Sequence, residues 1–165
     1  MYQAAVVVRD LLGQPGPAAD YRALSWVTFT DPEVAAVGLT ERQARDTGIA
    51  VVTGHAQLPE SSRGWIHQAG NDGLVKLVAD ADRDVLVGGT VVGPGGGEIV
   101  GLVATAVHAR VPLPTLRSMH FAYPTFHRAV AAALDDLKRL SPTALISQRY
   151  DKFRQMGNFF TETAG

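Results

Sequence analysis

The stretch VLVGGTVVGPGGGEIVGLVATAVHARV, residues 85–111, governs how the rest of the chain is read. Its opening part, Val85 to Gly93, is uncharged and, apart from Leu86, β-branched or small, which is the composition of a strand. GPGGG follows at 93–97, and glycine reaches the positive φ that a tight turn needs. Glu98 then stands where a helix N-terminus favours negative charge. From Glu98 to Val111 the chain is apolar nearly all round, so this helix should be buried on most sides, and Pro112 and Pro114 break it.

Working outward, LVKLVAD at 74–80 reads as another strand, and the short polar ADRD that follows predicts a hairpin into Val85. Three more strands are expected upstream, in ALSWVTFT (23–30), VAAVGLT (34–40) and IAVVTGHAQL (49–58), with DPE at 31–33 as a turn. Thr40 with Gln43 three positions later forms a capping-box pattern that opens the helix ERQARDTG, and Gly48 ends it. PESSRGWIHQAGNDG (59–73) reads as an irregular connection with turn chemistry at both ends. A short helix is expected near PTLRSM, and a longer one from Thr125 through about Leu140. Residues 2–12 read as a helix set apart by the breaker cluster GQPGPAAD at 13–20.

Hairpin-length links among the strands predict an α+β fold, an antiparallel sheet of about five strands with helices packed on one face. The division of the chain is a helix at 1–13, a linker at 14–21, a main domain at 22–140 and a C-terminal tail at 141–165. In the tail, Tyr150, Phe153, Met156 and Phe160 fit one helical stripe. No internal repeat is visible.

The 165 residues, 46% of them hydrophobic, suit one globular domain with a core of its own. Fifteen basic against 16 acidic residues, with no basic run, give no electrostatic reason to expect nucleic acid. No apolar segment approaches the roughly 18 residues of a membrane span, and MYQAAVVVRDLLG lacks a basic leader, so a cytoplasmic address is expected. There is no cysteine, which excludes a disulfide, a thiolate metal site or a thiol redox centre within this chain.

Several motif patterns fail on inspection. Asp80, Asp82 and Asp84 alternate as in a calcium loop, but Val85 and Val91 stand where glycine and the closing carboxylate belong, which favours a charged hairpin turn. GPGGGE matches neither dinucleotide nor P-loop glycine patterns, since Glu98 occupies the last position and no Gly-Lys pair exists. His55, His67, His108, His120 and His127 form no zinc-type spacing, and His108 reads as a dipole partner at a helix C-terminus. Trp26 and Trp65 read as core or interface anchors. Taken by its residues alone, the chain is an α+β domain without a complete active site, with features that point toward assembly.

Three stretches in the right order and spacing resemble a known family. VTFTDPEVAAVGLTERQAR (27–45), VGGTVVGPGGGEIVGLVATAVHA (87–109) and AYPTFHRAVAAAL (122–134) are similar to the C-terminal dimerisation domain of the flavin-dependent pyridine nucleotide-disulfide oxidoreductases, across about residues 22–140. The resemblance implies that MYQAAVVVRDLLG is the last helix of a preceding flavin domain. It implies a symmetric homodimer, with the helix near 98–110 and the helix beginning near Thr125 in or beside the interface. It implies FAD and NAD(P) as cofactors of the complete enzyme, held by other domains of the same polypeptide, with none bound by this chain alone. Neither nucleic acid nor membrane enters as a partner.

In that family an H-P-T-x-S-E loop reaches across the dimer to the partner's flavin and redox disulfide, its histidine acting as acid–base and its glutamate orienting the histidine. Here Tyr123 stands at the histidine position, His127 at the serine and Arg128 at the glutamate. A phenol, with a pKa near ~10, is a poor base near neutral pH, and an arginine cannot orient an imidazole as a carboxylate does. The resemblance therefore implies Tyr123 and His127 as candidate catalytic residues and Tyr123 and Pro124 as contacts to a partner's flavin. It also implies hydride transfer from a nicotinamide through FAD to a quinone-like or other small acceptor rather than standard disulfide chemistry. A stand-alone interaction or small-ligand-binding module derived from the same domain is the alternative.

Overall fold

The computed structural model describes residues 1–137. Within them five strands form one antiparallel sheet: β1 (Ser25–Thr28), β2 (Glu33–Gly38), β3 (Val51–Gln57), β4 (Leu74–Asp80) and β5 (Val85–Gly93), in the spatial order β1-β2-β5-β4-β3. Six helices accompany them: α1 (Tyr2–Leu11), α2 (Glu41–Asp46), α3 (Ser62–His67), α4 (Gly96–His108), α5 (Leu113–Arg117) and α6 (His127–Asp136). The α+β layer arrangement is the one the sequence predicts. The tail at 141–165, with its proposed aromatic stripe, and the end of the last helix toward Leu140 lie outside the described residues.

One face of the sheet carries the core. Val75, Leu77 and Ala79 of β4 alternate with Lys76 and Val78, and they meet Val91 of β5 and Ala35 and Val37 of β2 under the helices. α4 lays Ile99, Val100, Val103, Ala106 and Val107 on this face, and α6 adds Ala129, Val130, Ala133 and Leu134. Each fully buried valine or leucine here contributes about 1.5–3 kcal/mol of transfer free energy. The helices can sit this low because the strands beneath them lack side chains at two points. A Cβ on Gly89 would lie 2.8 Å from a Val103 methyl carbon, and one on Gly54 would lie 2.1 Å from the carbonyl oxygen of Ala133.

α4 is less uniformly buried than its composition suggests. Glu98, Gly101, Thr105 and His108 are exposed, so one polar and small-residue stripe faces away from the sheet. Val103, at the centre of the expected interface helix, is 1% exposed and belongs to the domain's own core. The tryptophans are not core residues either: Trp26 and Trp65 are 52% and 77% exposed.

The turns follow the chemistry expected of them. Asp80 closes the β4–β5 hairpin by accepting from the amides of Asp82 (3.0 Å) and Arg83 (3.1 Å), and its second oxygen accepts from the Arg83 guanidinium (3.2 Å). The Thr40–Gln43 capping box is complete, and Gly48 follows it with φ of 79°. α3 is the element that the sequence reading passes over. Ser61 caps it by accepting from the Gly64 amide at 3.0 Å, inside what reads as an irregular connection. No side chain fits at Gly64, where a Cβ would lie 1.9 Å from the Leu58 carbonyl oxygen. α1 buries no residue, and it touches the rest through Tyr2, whose ring meets Tyr21 edge-on and whose hydroxyl accepts from the Asp20 amide at 2.9 Å, through Gln3, whose Nε2 donates to the Tyr21 hydroxyl at 3.3 Å, and through Arg9, which donates to the Pro17 carbonyl. Among the described residues no helix is long and apolar enough to cross a membrane.

On the opposite face, Lys76 Nζ donates to Glu41 Oε2 at 2.7 Å, tying α2 to β4, while Arg45 donates to Oε1 of the same carboxylate at 2.9 Å. The Lys76 hydrogen bond, and then that of Arg45, hold the Glu41 carboxyl down from the ordinary 4.5 to about 2. A depressed carboxylate pKa stabilises the fold fully above the unfolded value and loses that contribution as pH falls toward the folded one. Glu41→Gln should therefore lower Tm near neutral pH. The gap from wild type should close progressively between about pH 4.5 and about pH 2, as thermal unfolding at a series of pH values would show. A gap independent of pH would show that the Lys76 and Arg45 pairing is not what Glu41 contributes.

Candidate functional site

The segment from Phe121 to Arg128 is a loop pinned at both ends with its middle turned outward. Phe121 is 9% exposed and belongs to the core, and Phe126 packs against the same core from the other side. Between them Thr125 Oγ1 donates to the Ala122 carbonyl at 2.7 Å, closing a tight turn across a cis Tyr123–Pro124 peptide. Below the loop, Arg117 of α5 donates through Nε to the Leu134 carbonyl of α6 at 3.2 Å. The result is that Tyr123, 69% exposed, stands out from a firmly held base.

α3 supplies the side of this base. His67 meets the Phe126 ring edge-on with centroids 5.6 Å apart, and the Arg63 guanidinium lies 5.8 Å from the centre of the same ring. Arg63 and His67 are one helical turn apart, so both come from one face of α3. On the other side, the Arg128 guanidinium lies 5.5 Å from the centre of the Tyr123 ring. A guanidinium over an aromatic face is attracted by the ring quadrupole, and its planar edge stays open to hydrogen-bond acceptors.

The candidate residues are thus placed as follows. Tyr123 is exposed, while Pro124 and His127 are half-buried. No hydrogen bond or ring contact joins Tyr123 to His127 among the described residues. The partner of Tyr123 is Arg128, the residue at the position of the family's orienting glutamate. Sequence reading sets Arg128 aside because it cannot orient an imidazole. The signal it misses is the aromatic-to-arginine spacing across the turn, which brings the cation over the ring.

A second concavity, a cleft of about 740 Å³, lies away from this loop and is lined by Tyr21, Leu24, Trp26, Thr40, Arg83 and Arg110 among others. The glycine turn before α4 does not fit a flavin pyrophosphate. The Gly97 amide, which would face the phosphate, already donates to the Glu33 carboxylate at 2.9 Å, and Glu98 adds a second negative charge in the first helical turn.

Comparison with known proteins decides the family. The model of the pyridine nucleotide-disulphide oxidoreductase dimerisation domain matches residues 24–134, the whole sheet with the helices that cover it, apart from the end of α6. The chain belongs to this family. Dihydrolipoyl dehydrogenase 3 of Haloarcula marismortui is 30% identical over 136 residues, 82% of this chain and 28% of that protein. Dihydrolipoyl dehydrogenase 2 of the same organism is 33% identical, over 81% of this chain and 29% of its own length. In structure the dimerisation domain superposes on LpdA from Mycobacterium tuberculosis with a TM-score of 0.73 and 26% identity, covering 82% of this chain and 29% of that one. A flavoprotein disulfide reductase, RclA from Escherichia coli, shares the fold at a TM-score of 0.69. The chain spans less than a third of the length of each of these proteins.

Within the dimerisation domain, the loop is held by aromatic packing at Phe126 rather than by a side-chain cap, since α6 begins without one. Phe126→Ala should cost about 2 kcal/mol, somewhat less than a fully buried phenylalanine, because Phe126 is half-buried. It should also speed amide exchange at Arg128 and Ala129, whose N–H groups donate to Thr125 and Phe126 carbonyls. Hydrogen exchange read by mass spectrometry would check this; unchanged exchange in 121–130 would mean that Phe126 does not hold the loop.

Proposed function

We propose that this chain is the dimerisation part of an FAD-dependent NAD(P)H oxidoreductase and that it presents the Tyr123 loop to the flavin or redox site of a second copy. The observation that carries the reading is the loop itself. An aromatic residue that is 69% exposed stands on a turn anchored by Phe121 and Phe126, in a domain whose family is named for dimerisation. A solvated surface loop gains nothing from such anchoring, whereas a residue that must meet a partner in one position does.

FAD and NAD(P) belong to further domains of the same polypeptide. In support, the glycine turn of α4 is already occupied by Glu33, and the exposed apolar side chains of Leu24 (63%) and Trp26 (52%) line one cleft with Tyr21, with Phe29 (83%) exposed just past β1. Those residues form the surface on which a preceding flavin domain, with α1 as its last helix, would pack. The two copies meet across the exposed stripe of α4 and the outward side of α6, because the inward sides are spent on the sheet.

When bound, FAD supplies the hydride relay between nicotinamide and acceptor. What this chain supplies is positioning. The Tyr123 hydroxyl can donate a hydrogen bond to an acceptor oxygen or to the flavin edge, and Arg128 restrains the ring from its face. His127, four residues along and half-buried, adds an imidazole that can donate or accept a hydrogen bond. The acceptor class that fits a donor rather than a base is a small quinone-like molecule.

Tyr123→Phe removes the hydroxyl and keeps the ring. In the complete enzyme this substitution should lower turnover with quinone-type acceptors about 10- to 100-fold while leaving flavin reduction by NAD(P)H unchanged. His127→Ala should lower turnover in the same half-reaction. If neither substitution changes turnover with any acceptor while the dimer persists, the loop serves packing only.

A further inference from the structure

Two cations flank the 121–128 loop without a carboxylate partner among the described residues, and unlike Arg42 and Arg110 each lies over an aromatic ring. Arg22, Arg45, Arg83 and Lys76 each meet a carboxylate within the chain, Asp20, Glu41, Asp80 and Glu41 respectively. Arg63 and Arg128 do not: among the described residues each guanidinium makes its aromatic contact and no side-chain hydrogen bond or ion pair. They approach the loop from opposite elements, α3 and α6, onto aromatic rings three residues apart in the chain. His67 joins Arg63 on the Phe126 ring. The acids of the neighbourhood, Glu60, Asp135 and Asp136, line a cleft with His55 on the β3 side of α6.

A guanidinium stacked on a ring is held with its face covered and its N–H edge free, the geometry that takes an oxyanion through two parallel hydrogen bonds. One such group over the exposed ring of Tyr123 and another over Phe126, three residues on, set two guanidinium groups on the same turn. We infer that Arg63 and Arg128 form an oxyanion-binding rim around the Tyr123–Phe126 turn, and that its ligand is a small planar molecule bearing a carboxylate, phosphate or sulfonate. Under the proposed function this rim selects acceptors that carry negative charge, so that purpose rests on the reading above. Binding at the rim is a property of this chain alone and can be tested on it.

The experiment is a titration of the isotopically labelled 165-residue chain, followed by amide NMR, with 2-naphthalenesulfonate and in parallel with uncharged 2-naphthalenemethanol. The expected result is saturating shifts confined to amides in 62–68 and 121–130 with the sulfonate. Affinity for the alcohol should be at least about tenfold weaker, and the sulfonate should weaken as salt rises. The Arg63→Gln/Arg128→Gln double variant should keep the wild-type spectrum elsewhere and lose the preference for the sulfonate. Equal binding of the two probes, shifts centred elsewhere, or a preference that survives the double substitution would overturn the inference. So would an absence of sulfonate binding combined with loss of self-association in the double variant, which would give the two arginines to an acidic surface of a second copy. Any of these outcomes leaves the effect of Tyr123→Phe on turnover, and hence the proposed function, to stand or fall separately.

Discussion

The close approach of α4 to the sheet is the contact on which the rest of the domain depends. Gly89, at the middle of β5, leaves room for Val103, and β5 itself is the central strand, paired with both β2 and β4. With α4 seated there, the helix end delivers Pro112 to the start of β5, where it bridges Val85 and where the Leu113 amide donates to the Asp84 carbonyl at 2.8 Å. That contact directs α5, α5 directs the loop, and the loop sets Tyr123 outward. A single packing choice in the core therefore reaches the functional surface through short, hydrogen-bonded steps.

Electrostatics reinforce the same arrangement. The N-terminus of α4 carries a partial positive charge, and Glu33, at the start of β2, satisfies it by accepting from the Gly97 amide. The turn that resembles a phosphate cradle is thereby filled from within the chain. At the opposite end of the molecule's chemistry, Arg63 and Arg128 are left on aromatic faces without an internal acid. The charge at the α4 N-terminus is thus answered within the chain, whereas the guanidinium groups of Arg63 and Arg128 meet, among the described residues, aromatic rings only.

Much of this was legible in the sequence where the determinants are local. The strands declared themselves through β-branched runs, the capping box at Thr40 and Gln43 through spacing, and the hairpin through its aspartates. α3 escaped because its requirement for Gly64 comes from a carbonyl at Leu58, and because a six-residue helix leaves no periodic signal. The helix 98–110 looked apolar all round, yet which valines face inward depends on where β5 has its glycines, so Val103 fell to the core and Thr105 to the surface. At the loop, Tyr123 and His127 were visible as candidates, but the Arg128 contact that replaces any Tyr123–His127 pairing needed the turn geometry. Family resemblance supplied the domain, and the side-chain partners came from three-dimensional placement.

The family's dimerisation role is one of self-association, and we propose that two copies of this domain meet through the outward stripe of α4. Sedimentation velocity of the chain at micromolar concentration, wild type beside Thr105→Arg, tests it most directly. Thr105 is exposed and its hydroxyl bonds only to the Gly101 carbonyl of its own helix, so the substitution should leave the fold intact. Wild type should sediment as a dimer and Thr105→Arg as a folded monomer. A wild-type chain that sediments as a monomer, or a variant that stays dimeric, would contradict it.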